Sequence, residues 1–346
     1  MSGKKSIRAT MVDVARASGH SVSTVDRVLN GRSNVRAETA IQIRDAAEAL
    51  GYRAAGVLRE RVRTLTPRLT LGHLLLQPDQ AFYRDLATEL VTATQDRTDM
   101  RGHAVVEYLR SQSPDAVAEH LRDLGRRVDA LAIVAADHPV VREAIAEVAG
   151  RGVPVFTLMS DVDAPARVGH VGLDNRRVGR TAAWFLTRLA HRPGPLAAFI
   201  GTHRFQCQEL CEMSFRAYVR EHAGEFELLE TRVTLESADH AEEAMRDLLA
   251  RHDDLAGFYV GGGGIEGCLR ALDGIDPAHQ PLGVAHDLTA VTRQALLRGP
   301  LCAVLSHPMA AMCAELVGQM RAELAEPAAG LRQVLLPFVI TVPENA

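Results

Sequence analysis

The sequence predicts an α/β fold: a small all-α head followed by two doubly wound parallel-sheet lobes. Three observations predict it. From Leu69 to the end of the 346 residues, short apolar runs alternate with amphipathic helical stretches, the rhythm of parallel sheets covered on both faces. Those runs are too many for one comfortable open sheet, so two lobes are the simpler answer. The first fifty residues carry no strand-like run. They read as short helices around a glycine turn.

That leading stretch is TMVDVARASGHSVSTVDRVLNGRSNVRAETAIQIRDAAEAL. Thr10 precedes an apolar-periodic run and has Asp13 three residues on, a capping-box pattern. Met11, Val14, Ala15 and Ser18 form one small face. Gly19 suits the positive φ that ends a helix. Ser21 or Ser23 caps the next helix, which runs to about Asn30. Its Val25, Val28 and Leu29 point inward; Val22, Ser23, Thr24 and Arg27 face out. A third helix covers about 37–50 and stops at Gly51. Two short helices joined by a glycine turn are either a helix-turn-helix or an ordinary helical hairpin. In a DNA reader the second helix enters the major groove, small Ser and Thr side chains allow close approach, and Arg27 forks onto guanine or clamps a phosphate.

Charge separates along the chain. Residues 1–68 hold 13 Lys+Arg against 6 Asp+Glu, and the rest 26 against 37, a net of -4 overall. A basic head on an acidic body is the footprint of a nucleic-acid module joined to a sensor. Residues 1–9 read as a disordered basic arm. The five cysteines (Cys207, Cys211, Cys268, Cys302 and Cys313) show no disulfide framework and read as reduced thiols. No signal peptide or membrane span is evident, so a cytoplasmic protein without a membrane partner is expected.

The words TMVDVARASG, STVDRVLNG and ALGYR resemble the head of the lac repressor family of transcription regulators. The resemblance implies a head over 1–53 and a hinge or linker over 54–68. It also implies a homodimer or higher oligomer on a roughly palindromic double-stranded DNA operator, controlled by a small-molecule effector. Carried over, Val22 and Ser23 take the main base-reading positions. Thr10, Thr24, Arg27, Asn30 and Tyr52 join them at the DNA, with Arg59 and Arg61 from the basic stretch RAAGVLRERVRTLTPRL. Several residues depart from the pattern. His20 replaces an apolar residue, weakening the turn's packing or adding a phosphate contact. Asp26 replaces Ser, and Arg36 stands where a Ser usually caps the third helix. Ala54 stands where proline is usual. Arg61 takes the place of the leucine that wedges open a base step in the minor groove. Either Leu58 or Val62 substitutes for it, or Arg59, Arg61 and Arg63 hold the groove electrostatically, or the stretch is an unstructured linker.

Beyond the hinge, strands are expected at 69–76, 103–109, 130–136, 153–159, 170–174, 196–201, 227–234, 257–262, 281–286 and 302–307. Helices are expected at 82–94, 113–125, 138–150, 175–189, 206–222, 237–251, 265–272, 288–298 and 308–325, and one or two strands near 334–342. This order resembles the periplasmic-binding-protein-like core (type I) of the same family, in which the chain crosses between lobes three times. Crossings near 171–176, 302–306 and 328–334 give a first lobe of about 69–172 plus 305–329 and a second of about 175–303 plus 332–346.

Ligands of such folds bind at the carboxyl ends of strands. Gln77, Asp79, Asp137, His138, Ser160, Asp161, Asp174, Asn175, His286, Asp287 and His307 lie there, suited to the hydroxyls of a sugar or polyol, and Phe82 offers a stacking face. By resemblance, GLDNRRVGRTAA places Asp174 and Asn175 at the cleft, VAHDL puts His286 and Asp287 at two normally acidic positions, and His307 falls on a frequent ligand contact. Cys211 stands where the family has an effector-binding arginine, so no particular sugar is implied. The expected ligand set is Phe82, Asp137, Asp161, Asp174, Asn175, Cys211, His286, Asp287 and His307.

Two further motifs are weaker. His203, Cys207 and Cys211 recur at four-residue spacing, but on a helix they span about 12 Å, too far for one ion. Two buried thiols and a cleft histidine are expected, with no metal. Gly262, Gly264 and Gly267 satisfy G-x-G-x-x-G, a phosphate cradle or a turn lining the cleft. The full dinucleotide fingerprint is not evident, and no specific nucleophile–base arrangement can be argued. No enzyme and no cofactor are expected. The remaining readings are a solute receptor without a DNA role and a nucleotide- or metal-dependent enzyme.

Overall fold

The computed structural model describes residues 9–32 and 35–346. The basic arm expected over 1–9 lies outside them, apart from Ala9. The chain divides into two compact units: residues up to Thr70 together with Val91–Ala104, and Leu71–Leu90 together with Val105–Ala346.

In the first unit four helices form the head: α1 Met11–Ser18, α2 Val22–Asn30, α3 Ala37–Ala49 and α4 Ala55–Leu65. Thr10 and Asp13 close a full capping box, and Gly19 and Gly31 end α1 and α2 in the left-handed region. Ser21, rather than Ser23, caps α2 by accepting from the Thr24 N–H. Arg36 gives α3 no side-chain cap. Val14, Val25, Val28, Ala40, Ile43 and Ala47 form a small core, and Leu58 and Val62 of α4 are buried within it. The hinge stretch is therefore a fourth head helix here, and neither Leu58 nor Val62 is free to act as a wedge. His20 contributes a tie instead of a loss: its Nε2 meets Gln42 Oε1 at 2.7 Å, linking the turn to α3.

The remainder builds two sheets. The first uses β1 Arg68–Leu76, β2 Arg101–Leu109, β3 Ala130–Ile133, β4 Val155–Met159, β5 Gly169–Leu173 and β12 Arg332–Leu336, in the order β12-β5-β4-β3-β1-β2. Helices α5 Ala81–Gln95, α6 Pro114–Leu124, α7 Pro139–Gly150 and α13 Met309–Ala325 accompany it. The second has the path β13-β11-β10-β9-β6-β7, from β6 Pro195–Ile200, β7 Glu227–Leu228, β9 Gly257–Val260, β10 Leu282–His286, β11 Leu301–Ser306 and β13 Val339–Thr341. A short β8, Arg232–Val233, also pairs with β6, so the strand expected over 227–234 is split in two. Its helices are α8 Asn175–Leu189, α9 Gln206–His222, α10 Ala238–Arg251, α11 Ile265–Ala271 and α12 Ala290–Arg298. β3, β4 and β9 are buried along their whole length, as strands covered on both faces must be.

Two of the expected crossings shift. β12 hydrogen-bonds β5 in parallel, Arg332 to Leu336 against Gly169 to Leu173. Residues 332–336 therefore belong to the first sheet, and the last crossing falls at 337–338. The preceding one follows β11, at 307–308, since β11 keeps its pairing with β10 to His286↔Leu305. β13 runs antiparallel to β11, so the second sheet is not purely parallel. Among the described residues no helix is long and apolar enough to cross a membrane.

Candidate functional site

On the head, Val25 and Val28 are buried while Val22, Ser23, Arg27 and Asn30 share the outward face of α2. Arg27 folds back along its own helix, Nε donating to the Ser23 carbonyl at 3.2 Å and a terminal nitrogen to Thr24 Oγ1 at 3.2 Å. Asn30 donates to Asp26 Oδ1 at 2.7 Å. Two more residues expected at the DNA also make contacts within the head. Thr10 Oγ1 donates to Asp13 Oδ2 at 2.6 Å within its cap, and Tyr52 is 9% exposed in the head core. On α4, Arg59 pairs with Glu48 at 2.8 Å, and the Arg61 guanidinium lies over Gly31, where an added Cβ would stand 3.0 Å from Cζ.

In the second unit, the loop after β1 with the start of α5 faces the strand ends of β9, β10 and β11 across a cavity of about 110 Å³. The first sheet supplies Gln80, Phe82 and Met159; the second supplies Cys207, Gln208, Glu236, the run Gly261–Gly264, His286, Asp287 and His307. Asp287 Oδ1 accepts from the His307 main-chain N–H and from its Nδ1, both at 2.9 Å. Burial pushes the Asp287 carboxyl up, but the charge and hydrogen bonds of His307 outweigh it and hold the group below its ordinary value. His286 Nε2 meets Tyr259 Oη at 2.7 Å, and burial depresses its pKa to about 4, so it is neutral near pH 7. Phe82 lies 5.8 Å from the His307 ring, tilted. Polar donors and acceptors beside one aromatic face are what a small hydroxylated ligand needs.

Backbone strain marks the same place. Met159, Leu235, Glu236 and Asp287 are the non-glycine residues with positive φ among those described, and three of the four line the cavity. Such conformations cost of order 1–3 kcal/mol and cluster at functional sites.

The structure thus gathers Phe82, His286, Asp287 and His307 at one cavity, and five other expected ligand residues lie off its lining. Asp137 is held by Arg142, which lowers its pKa through a short paired hydrogen bond. Asp161 is buried, accepting from Thr157 Oγ1 at 2.6 Å and from Arg167 at 2.9 Å. Asp174 caps α8 through the Arg177 N–H, and Asn175 follows it, 9% exposed. Cys211 is 1% exposed and donates to Asn175 Oδ1 at 3.6 Å between α8 and α9. Its neighbour one turn back, Cys207, reaches the cavity, with its thiol pushed up to about 12 by burial and hence protonated. His203 precedes α9 rather than sharing its face, so the three-residue stripe does not form.

Glu236 is not among the expected residues. It is 6% exposed and accepts from Gln208 Nε2 at 2.6 Å and the Gly263 N–H at 2.9 Å. Burial raises its pKa against those two bonds. Gln80 Nε2 donates to its carbonyl at 3.3 Å. The glycine run packs here: a Cβ at Gly262 would meet Gln208 at 2.8 Å, and one at Gly263 would meet Glu236 at 2.3 Å. The run is a cleft-lining turn whose Gly263 amide already has an acceptor.

Comparison with known proteins bears on both parts. Residues 10–54 match the model for bacterial regulatory proteins of the lacI family, and residues 90–326 match a periplasmic binding protein domain. The chain is 27% identical over 187 residues to catabolite control protein A of Priestia megaterium, covering 54% of each chain. It is 26% identical over 131 residues to the HTH-type transcriptional repressor PurR of Mannheimia succiniciproducens, covering 38% of this chain and 37% of that one. The alignments thus span about half the length of these curated relatives, or less. Among solved structures, an ABC transporter solute binding protein from Agrobacterium vitis bound with α-D-tagatopyranose superposes with a TM-score of 0.73 at 17% identity, over 80% of this chain and 95% of that one. GanP, a glucose-galactose binding protein from Geobacillus stearothermophilus, gives 0.70 at 17% identity, over 80% and 98%. At these identities the structural likeness speaks for the fold of the core.

Proposed function

We propose that this chain, which belongs to the periplasmic binding protein domain family and carries a lacI-family head, is a DNA-binding transcription regulator, a repressor controlled by a small polar effector. One observation carries the reading. A single polypeptide holds both the outward α2 face of Val22, Ser23, Arg27 and Asn30 and a polar cavity at the strand ends built on Phe82, His286, Asp287 and His307. The first suits base edges and phosphates. The second suits a sugar or polyol, and the two solved neighbours are sugar-binding proteins.

The protein acts in the cytoplasm as a homodimer on a roughly palindromic operator, because one recognition helix reads only a few base pairs. Ligand in the cavity alters the pairing of the two sheets' facing loops and so biases the head. By linkage, a ligand that weakens DNA binding is itself bound more weakly when DNA is present. We read the site as one that binds rather than transforms its ligand, since burial holds the cavity thiol of Cys207 protonated and no other nucleophile is argued there.

The test is fluorescence anisotropy on palindromic segments from the DNA upstream of the gene, repeated with the sugars and polyols that raise the melting temperature of the full chain. Binding that prefers one segment and shifts with a stabilising ligand supports the proposal. Binding with no preference among sequences, unmoved by any ligand that stabilises the protein, overturns it.

A further inference from the structure

Glu236 buries its carboxylate against one main-chain N–H and one side-chain amide. Its Oε2 accepts from Gly263 at 2.9 Å, and its Oε1 accepts from Gln208 Nε2 at 2.6 Å. Gln208 in turn accepts from the N–H groups of Gly201 and Thr202 at 2.8 and 3.2 Å. Donors from the ends of β6 and β9 therefore converge on one amide–carboxylate pair. The glycines admit it: a Cβ at Gly201 would stand 1.7 Å from Oε1, and one at Gly263 would stand 2.3 Å from Oε2. The backbone is bent to deliver the carboxylate, since Leu235 and Glu236 sit in succession at φ 54 and 59. Neither is a residue type that visits this region readily.

A main-chain N–H of a glycine-rich turn beside a side-chain amide N–H is a donor pair that a carboxylate or phosphate can take. Here the protein's own carboxylate occupies that receptor. No arginine or lysine lines the cavity among the described residues, and the other acids on its wall are Asp287 and Glu266. An anionic ligand would find that donor pair taken and the carboxylates of Glu236, Asp287 and Glu266 on the wall.

We propose that Glu236 is a built-in anion filling the cleft's own anion receptor, so that the site takes an uncharged polyhydroxy ligand and rejects its carboxylate and phosphate derivatives. The proposal rests on the cavity being the effector site, and the test keeps the two apart. Full-length wild type and Glu236→Gly, which relieves the left-handed backbone as it removes the carboxylate, are melted in formate and in phosphate against chloride at matched ionic strength. The variant's midpoint should rise by at least about 3 °C in about 100 mM formate, as the free anion takes the vacated place, while wild type stays unmoved. If the variant is recovered insoluble, refolding yield in formate against chloride gives the same readout. No formate-specific gain in the variant, or an equal gain in wild type, overturns the proposal.

A second arm uses wild type alone. D-glucose, D-galactose and D-ribose are each compared with their aldonate and their phosphate ester, and His307→Ala serves to locate any effect in the cavity. Stabilisation by parent sugars only supports the proposal. Stabilisation by an aldonate or phosphate ester that His307→Ala abolishes overturns it. If no probe stabilises the chain, the effector-site reading fails, and the formate arm still decides the role of Glu236.

Discussion

Asp287 fixes His307 by its backbone and its ring together, one carboxylate oxygen accepting from the main-chain N–H and from Nδ1 at the same 2.9 Å. Because an ionised carboxylate only accepts, the Nδ1 proton is assigned and Nε2 is left as the ring's free edge. Asp287 does this from φ 58, a conformation that Asp and Asn tolerate better than most side chains. Asp287→Asn therefore preserves the backbone and removes the charged acceptor. The expected result is about a tenfold weaker ligand response, roughly 1–2 kcal/mol, with operator affinity in the absence of ligand unchanged. Anisotropy titrations with and without ligand measure both quantities. An undiminished response would mean that the pair does not orient a ligand.

His73 is fully buried in β1, and neither ring nitrogen has a hydrogen-bond partner among the described residues. Burial depresses its pKa from the usual 6.5 to about 4. The unfolded chain is then protonated first as pH falls. Stability from this group is fully present above pH 6.5 and drops by about 1.4 kcal/mol per unit as pH falls toward 4. His286 falls in the same window. His73→Leu should raise stability at pH 7 by about 1–3 kcal/mol and flatten the acid limb. Urea unfolding at pH 7.5, 6 and 5 tests this, and a variant that is less stable at every pH would show that the ring's packing matters more than its polarity.

Arg27 is exposed, and its own bonds are confined to Ser23 and Thr24 of the same helix. Arg27→Ala should leave thermal stability and ligand-induced stabilisation within error, while weakening operator binding by at least tenfold, about 1–3 kcal/mol. A parallel loss of ligand binding would point to a misfolded chain rather than a missing base contact.

Leu58 and Val57 are neighbours on α4 with opposite surroundings: Leu58 is fully buried in the head core, and Val57 is half exposed. Leu58→Ala should destabilise the head by about 2–5 kcal/mol, and Val57→Ala should change it by less than about 0.5. Amide exchange over residues 11–49 distinguishes them. Equal, small effects would mean that α4 is a free linker in solution.

Much of the fold is legible in the sequence because its periodicity is local. The bounds of α8 and α9 follow from apolar spacing, and the head from Thr10, Gly19 and the Ser21 or Ser23 cap. Strand order is not local. Nothing in RQVLL says that it pairs with β5 rather than joining the second sheet, so the pattern alone puts the last crossing several residues too early. The site divides in the same way. His286, Asp287 and His307 sit where strand ends must converge, and reading them requires only the βα rhythm. Asp137 and Asp161 also end strands, but Arg142 and Arg167 claim them through contacts visible only in three dimensions. Glu236 escapes because a Leu-Glu pair carries no turn signal. The signal that exists is indirect, in the glycines at 201 and 263 that have to make room for it.

The pairing of β12 with β5 has a consequence for biosynthesis. The sheet begun at Arg68 is not closed until Arg332–Leu336 has emerged, about 160 residues after β5. At roughly 5–20 residues per second, the ribosome leaves that edge of β5 without its final neighbour for something like 10–30 seconds. The second sheet waits in the same way for β13 on β11. Premature termination anywhere before residue 332 would therefore leave both sheets with an open edge, a substrate for chaperones and for aggregation, whereas the four head helices have all been made by residue 65.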